Sequence, residues 1–336
     1  MSEPLATATL IADRGEAAAS EEFFRSRPFL DAEGVTHTLR IEGEAGTLTA
    51  PLIVRQIPVE GTASAEVPAG EPLLDAVSPY GYPGIVPIPE GGASEIDRHR
   101  GGQTAPTAVD FGPTGLVSAF IRHTLAEPVP LAGSRERNLV QIADPALPLK
   151  RRSSDRNQIN KNRRNGYEVS LTAGPETTPA QRAGFLAAYE ETMRRTGAAG
   201  HYFFDSSYFE RILDSGATWL ALATAPDDRI AAASIAARSD GFIHYYLSGT
   251  ANAHLSDSPM KNVLAELVDL ATAEGMPLNL GGGISRGDAL EEFKRGFANR
   301  ERAWCSSEIV CDAAAYRRLS GDSGEIDYFP AYRAPR

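Results

Sequence analysis

Cysteine is nearly absent from this chain. Of 336 residues only Cys305 and Cys311 are cysteines. Neither has a histidine partner nearby or metal-ligand spacing, so a disulfide framework and a zinc cluster are excluded, and both read as reduced and structural. The six histidines are scattered, and none forms HExxH or a comparable pair, so no metal is expected. Positive charge is also in deficit. The formal net charge is -11, which argues against a protein that coats nucleic acid, though not against a local basic site. No apolar run approaches the roughly 18–20 residues of a membrane helix. The start, MSEPLATATLIADRGEAAASEE, lacks a basic region before an apolar one and does not read as a secretory signal. The expected location is cytoplasmic.

What is present is globular. The composition is 42% hydrophobic and 23% charged, and the length suffices for two domains with real cores. Residues 1–20 are rich in Ala, Ser and Thr and are expected to be loosely ordered at the very start. A short aromatic helix over Glu21–Leu30 should end around Pro28. Thr36–Glu42 and Thr47–Arg55 alternate around a glycine turn, the pattern of a hairpin. Ser78-Pro-Tyr-Gly-Tyr-Pro-Gly84 holds Tyr80 and Tyr82 in a rigid turn. Residues 58–72 and 88–107 read as loops, 115–121 as a buried strand or short helix, and 125–150 as a connection between domains. Helices are expected over Thr178–Thr196 and Met260–Glu274. Strands are expected over 167–171, 219–224, 229–238, 241–248 and 307–311.

Two stretches carry charge with a pattern. From Lys150 to Arg164 stand seven basic residues, Lys150, Arg151, Arg152, Arg156, Lys161, Arg163 and Arg164, against one acid, Asp155. Such a run is commonly a solvated helix face. It also repels itself, and an acidic partner would relieve it: a phosphate backbone, a nucleotide or an acidic patch of the protein itself. The second stretch is NLGGGISRGDALEEFKRGF, Asn279 to Phe297. A short buried strand ends in Gly281, Gly282 and Gly283. Asp288 then caps a helix, with Glu291 three residues on. Leu290, Phe293 and Phe297 recur at helical spacing, and Lys294 stands beside them. This is a candidate site for negative charge. It matches neither a Walker loop nor the GxGxxG pattern.

The order of elements in Phe29–Arg55 echoes that in Phe209–Arg238, which suggests two related halves, each α/β with a mixed sheet. Taken together, SPYGYPG (78–84), GLVSAFIR (115–122), RNQINKNRRNGYEV (156–169), YFFDSSYFERI (202–212), HYYLSGT (244–250) and NLGGG with DALEEFKRGF resemble the Fem family of aminoacyl-tRNA-dependent peptidyl transferases. The resemblance runs over most of the chain from about residue 20. It implies two tandem GNAT-like domains, set here at 1–150 (acceptor side) and 151–336 (donor and catalytic side). The chain is shorter than the cell-wall Fem enzymes and shows no long helical arm. The short form resembles stand-alone members that attach an amino acid from aminoacyl-tRNA to a small amine, as in natural-product pathways.

The implied reaction needs no covalent enzyme intermediate, because an aminoacyl ester is already activated. The enzyme must position both partners and stabilise a tetrahedral oxyanion. By the resemblance, Lys294 sits at the reaction centre. Tyr246, Ser248 and Asn279 line the cleft where the central strands part, Tyr246 and Asn279 as catalytic residues with Lys294, and Ser248, Gly281, Gly282 and Phe293 bind substrate. Tyr80 and Tyr82 border the acceptor, a small-molecule or peptide amine. Arg156, Lys161, Arg163 and Arg164 contact tRNA phosphate. No bound cofactor is implied, and aminoacyl-tRNA is the co-substrate. An acetyl-CoA-dependent N-acyltransferase on the same fold is the alternative. GNAT enzymes bind the CoA pyrophosphate with an R/Q-x-x-G-x-G/A loop before a helix; neither half of this chain shows one, and Gly281–Gly283 would have to stand in. A third reading is a non-catalytic binding protein that keeps the fold.

Overall fold

A computed structural model describes residues 6–13, 20–58, 72–88, 106, 108–126, 131, 133–149, 151–321 and 327–335. The expected loops 58–72 and 88–107 lie almost wholly outside these residues, as do Lys150, Pro128 and Pro130. In chain order the strands begin with β1 (Ala6–Ile11), β2 (His37–Gly43), β3 (Gly46–Gln56), β4 (Leu74–Val77), β5 (Val86–Pro87), β6 (Val109–Asp110) and β7 (Leu116–Arg122). They continue with β8 (Ser134–Ala143), β9 (Glu168–Ala173), β10 (Thr218–Thr224), β11 (Ile230–Ser239), β12 (Phe242–Thr250), β13 (Leu278–Gly281) and β14 (Arg300–Val310). The helices are α1 (Arg27–Ala32), α2 (Ser153–Arg164), α3 (Pro179–Thr196), α4 (Ser206–Leu213), α5 (Met260–Ala273), α6 (Ala289–Arg295) and α7 (Ala313–Ser320).

The chain divides into two compact units. The first comprises Met1–Ala19, Glu33–Arg137 and Trp304–Arg336, and the second Ser20–Ala32 and Asn138–Ala303. In the first unit the strand order is β6-β1-β2-β3-β4-β7-β14, with β5 beside β3. β1 to β4 pair antiparallel in succession, β4 pairs β7 in parallel, and β7 pairs β14 antiparallel. In the second unit the order is β9-β10-β11-β12-β13-β8. β9 to β12 are antiparallel in succession, β12 pairs β13 in parallel, and β13 pairs β8 antiparallel. Each unit thus runs a four-strand antiparallel meander into a parallel step, the first unit adding a second parallel pair, β1 with β6, at its edge, and the echo seen in sequence is an echo of topology.

Each unit has its own core. Leu39, Ile41, Leu52, Ile85 and Ile121 fill the first. Val263, Leu264, Leu267, Leu278 and Leu280 pack against the buried alanines of β10 and β11 in the second. Small residues let helices approach the second sheet closely. A Cβ at Gly249 would lie 2.4 Å from the backbone of Ala188 in α3, so that position admits no side chain.

Three expectations need correction. Residues 6–11 are a paired strand and not a loose start, because β1 alternates buried and open residues against β2. Pro28 opens α1 instead of ending a helix; in the first turn its missing N–H and fixed φ are tolerated. The stretch 125–150 contains β8, whose last residues Val140 to Ala143 are buried. The hairpin β2–β3, the buried strand β7 and the helices α3 and α5 lie where the sequence puts them, and Thr178 with Gln181 forms the full capping box of α3.

Candidate active site

All of this site lies in the second unit. β12 and β13 pair only at Ile243 with Leu278 and at His244 with Asn279. Beyond that rung β12 continues to Thr250 while β13 ends at Gly281, so the strands part. Asn279 fixes the last rung. Its side-chain oxygen accepts from the Gly281 N–H at 2.9 Å and its amide lies 3.0 Å from His244 Nδ1. The other ring nitrogen, Nε2, is 3.2 Å from the Ser239 carbonyl and must donate to it, so Nδ1 accepts from Asn279. Burial keeps this imidazole neutral, with its pKa lowered to about 4. Both ends of the Asn279 side chain are therefore taken, and its work is to hold the parting strands.

Gly281 follows with φ +74, a left-handed conformation that glycine adopts without strain. A Cβ there would come within 3.1 Å of Lys294 Nζ. Lys294 lies on α6, is 8% exposed, and donates from Nζ to the Gly282 carbonyl at 2.6 Å. Among the described residues this is its only hydrogen bond, and no carboxylate stands within ion-pair distance. Burial lowers its pKa to about 8, partly opposed by Asp288. At neutral pH it is still mostly an ammonium, with two N–H donors unspent.

The glycine loop itself is already filled with charge. Asp288 accepts from the backbone N–H groups of Ile284 (2.7 Å), Ser285 (2.9 Å) and Glu291 (2.8 Å). These bonds hold its carboxyl below the ordinary range. Glu291, buried, accepts from Gly287 N–H at 2.8 Å. The cap expected at Asp288 is present, but Glu291 reaches back to Gly287 and not to the cap residue. Three of the loop's amides thus serve the protein's own carboxylates, and the buried positive charge beside the loop is Lys294. Phe293 packs on the core of this unit, with its ring 6.0 Å from that of Phe297. Phe297 lies beyond the end of α6.

Across the gap, β12 carries a bulge. Ala236 pairs with Tyr245 and Ile235 with Leu247, so Tyr246 is the extra residue. The bulge turns Tyr246 toward an aromatic wall of Phe23, Phe24 and Phe29 and places its hydroxyl 2.9 Å from that of Tyr208. Phe204 stacks on Tyr208 at 4.0 Å. Ser248 donates to Tyr245 at 2.6 Å. As a site residue Tyr208 escapes the sequence reading, and so does the place of the segment 20–32 beside it. That segment is tied to the second unit by the buried Arg25–Asp240 pair. The signal for Tyr208 was its place in an aromatic helix start, which by itself reads as core.

The basic run forms α2. Its inner face is held by Asn162, which is fully buried and donates to the Asp257 carbonyl and to Asn262, both at 2.8 Å. Asp155 pairs with Lys261 at 2.9 Å. At its start Arg152 pairs with Glu292, and Arg151 lies over the Phe297 ring at 5.7 Å. The acidic patch of the protein itself thus takes Arg152, and Glu266 takes Arg163 at 3.1 Å. Arg156, Lys161 and Arg164 are exposed and form no ion pair among the described residues. The structure therefore brings Lys294, Gly281, Gly282, Asn279 and the start of α2 together. Tyr80 and Tyr82 belong to the first unit. There Tyr80 N–H donates to Glu33 at 2.9 Å, and Tyr82 meets Trp304 edge-on at 6.3 Å.

Residues 150–295, less than half of the chain, match the acetyltransferase (GNAT) domain family. No curated protein matches the sequence. Among solved structures, FemX is similar with TM-score 0.56 at 10% identity, over 91% of this chain and 98% of that one. The C-terminal domain of a putative lysylphosphatidylglycerol synthetase from Agrobacterium fabrum is similar with TM-score 0.51 at 13% identity, over 90% of this chain and 91% of that one. Among the described residues no helix is long and apolar enough to cross a membrane. With the repeated topology of its two units, the chain has a Fem-like tandem GNAT fold.

Proposed function

We propose that this protein is an acyltransferase that moves an amino acid from aminoacyl-tRNA to an amine of a small molecule or peptide. One observation carries the reading: Lys294, a buried ammonium with a single carbonyl partner, at the point where β12 and β13 part. An uncompensated buried cation costs several kcal/mol, and a developing negative charge beside it recovers that cost.

The acceptor amine attacks the ester carbonyl, and a C–N bond forms. The carbonyl oxygen becomes an oxyanion, which Lys294 stabilises with its two unspent N–H donors. The C–O bond to the terminal ribose then breaks, and the proton lost by the amine ends on the ribose oxygen. Tyr246, held by Tyr208, offers a hydroxyl at the same gap. Asn279 is a positioning residue. Arg156, Lys161 and Arg164 hold donor phosphates, and Tyr80 and Tyr82 contact the acceptor.

The match to an acetyltransferase domain favours acetyl-CoA as a second reading. The backbone speaks against it. A pyrophosphate needs free amides at a glycine loop or helix start. In the Gly281–Gly287 loop the amides of Ile284 and Ser285 go to Asp288, that of Gly287 to Glu291 and that of Gly281 to the Asn279 side chain. At the start of α5, Lys261 and Asn262 donate to the carbonyls of Ser258 and Pro259.

The test incubates purified protein with a pool of charged tRNAs, or with acetyl-CoA, and candidate amines, and reads new amide by mass spectrometry. Amide formation abolished by ribonuclease is the expected result. Transfer from acetyl-CoA alone would replace this reading with the second, and no transfer from either would favour a binding protein.

A further inference from the structure

At the far end of β12 from Lys294 lies a cavity of about 490 Å³, lined by Glu191, Arg229, Ile230, Ala251, Asn252, Ala253 and His254. From Tyr246, level with the gap, to Thr250 the strand advances about 13 Å at roughly 3.3 Å per residue, so the two places are separate. The transfer chemistry uses none of the lining side chains.

Their hydrogen bonds fix what each can still do. Tyr167 donates its hydroxyl hydrogen to Asp257 Oδ2 at 2.9 Å. Its pKa is pushed up to about 12 by burial and by that carboxylate, so the phenol stays protonated. The phenol oxygen, 2.9 Å from His254 Nδ1, must then accept from it. Nδ1 therefore carries a hydrogen, and in the neutral imidazole Nε2 is the acceptor, with no hydrogen bond of its own among the described residues. Glu191 spends one carboxylate oxygen on the Asn252 N–H at 2.6 Å and keeps the other. Asn252 gives its side-chain oxygen to Arg195 and keeps its NH₂. Arg229 touches Asp227 only through Nε at 3.7 Å, which leaves the two terminal nitrogens of its guanidinium.

Two acceptors, one of them anionic, and two donors, one of them cationic, line one cavity. We propose that this cavity is a second binding site, for a small zwitterion of the α-amino-acid class. Glu191 and His254 take the ammonium, and Arg229 and Asn252 take the carboxylate. The Asp257–Tyr167 chain orients His254, and Tyr167 is a positioning residue here. The proposal does not depend on the transfer reaction.

Each of the twenty free amino acids, with acetate and methylamine as half-ligands, is titrated into the full chain by calorimetry. The expected result is saturable binding of at least one amino acid. That binding weakens at least tenfold in Arg229→Gln and in Glu191→Gln and is unchanged in Lys294→Ala. Arg229 is exposed, so its replacement does not threaten the fold. Tyr167→Phe should weaken binding less than either. Absence of saturable binding for all twenty up to about 10 mM, where affinity falls below roughly 3 kcal/mol, overturns the proposal. So does binding that Lys294→Ala abolishes while Arg229→Gln leaves it intact, which would place the ligand at the transfer site. Acetate binding as tightly as the amino acid overturns the zwitterion and leaves a plain anion site.

Discussion

α2 and Lys294 are both positive, and they differ in what surrounds the charge. α2 displays many cations in water. Two of them are spent on Glu292 and Glu266, and three stand free on the outer face. Lys294 is one cation, buried, with a carbonyl for company. Exposed charges are screened and individually weak, but they sum over a polyanion. A desolvated charge is strong and acts at one point. In the proposed reaction this difference gives the long-range hold on an acyl donor to α2 and the chemistry to Lys294.

Replacing the buried cation should have the largest effect. Lys294→Met is expected to lower the transfer rate by about 10²–10³, the usual loss for one oxyanion donor. The same change should stabilise the fold. A lysine held at about 8 instead of 10.5 carries a burial cost of about 3 kcal/mol at pH 7. The sign follows from proton counting. Between about pH 8 and 10.5 the unfolded chain binds more protons than the folded one, so wild-type stability rises with pH across that window. Denaturant titrations at pH 7 and pH 10 should show the rise in the wild type and its absence in Lys294→Met. A variant that is less stable at neutral pH would break the contrast.

Next comes the exposed face. Reversing Arg156, Lys161 and Arg164 to Glu should weaken tRNA binding by about tenfold or more. It should also flatten the log–log salt dependence by roughly 2–3. Arg163→Ala, already paired to Glu266, should change neither by much. Filter binding across a salt series separates them. Equal effects from the paired and unpaired arginines would mean that α2 is a structural helix and nothing more.

Smaller again is the rung that holds the gap. Asn279→Ala leaves the Gly281 N–H and His244 Nδ1 without partners, which should cost about 1–3 kcal/mol. Catalysis should fall only as far as the gap loosens. A loss of rate as large as that of Lys294→Met, in a protein of unchanged stability, would make Asn279 a catalytic residue.

Legibility in the sequence followed the range of the interactions. The Asp288 cap, the turn at Gly281 and the Thr178 box are local, and residues a few positions apart display them. So is the hairpin β2–β3, whose alternation survives in the register. Burial of Lys294 is not local: a lone lysine on an amphipathic helix reads as solvated until β13 and Gly282 are placed beside it. Nor was it legible that Asp288 and Glu291 turn their carboxylates back onto the loop and take the amides of Ile284, Ser285 and Gly287. The bulge at Tyr246 depends on strand register, and the Tyr208 partner lies 38 residues away. Segment 20–32 joins the second unit through Arg25 and Asp240, which are 215 residues apart. A reading along the chain cannot show that.

The most direct test is the pH dependence of single-turnover transfer from charged tRNA by the wild type and by Lys294→Arg. If a protonated Lys294 stabilises the oxyanion, the wild-type rate falls tenfold per pH unit above about 8. Whatever rate the arginine variant retains has no break there, because a guanidinium keeps its charge. A wild-type rate that climbs through pH 8, or the same break in both proteins, would contradict the account.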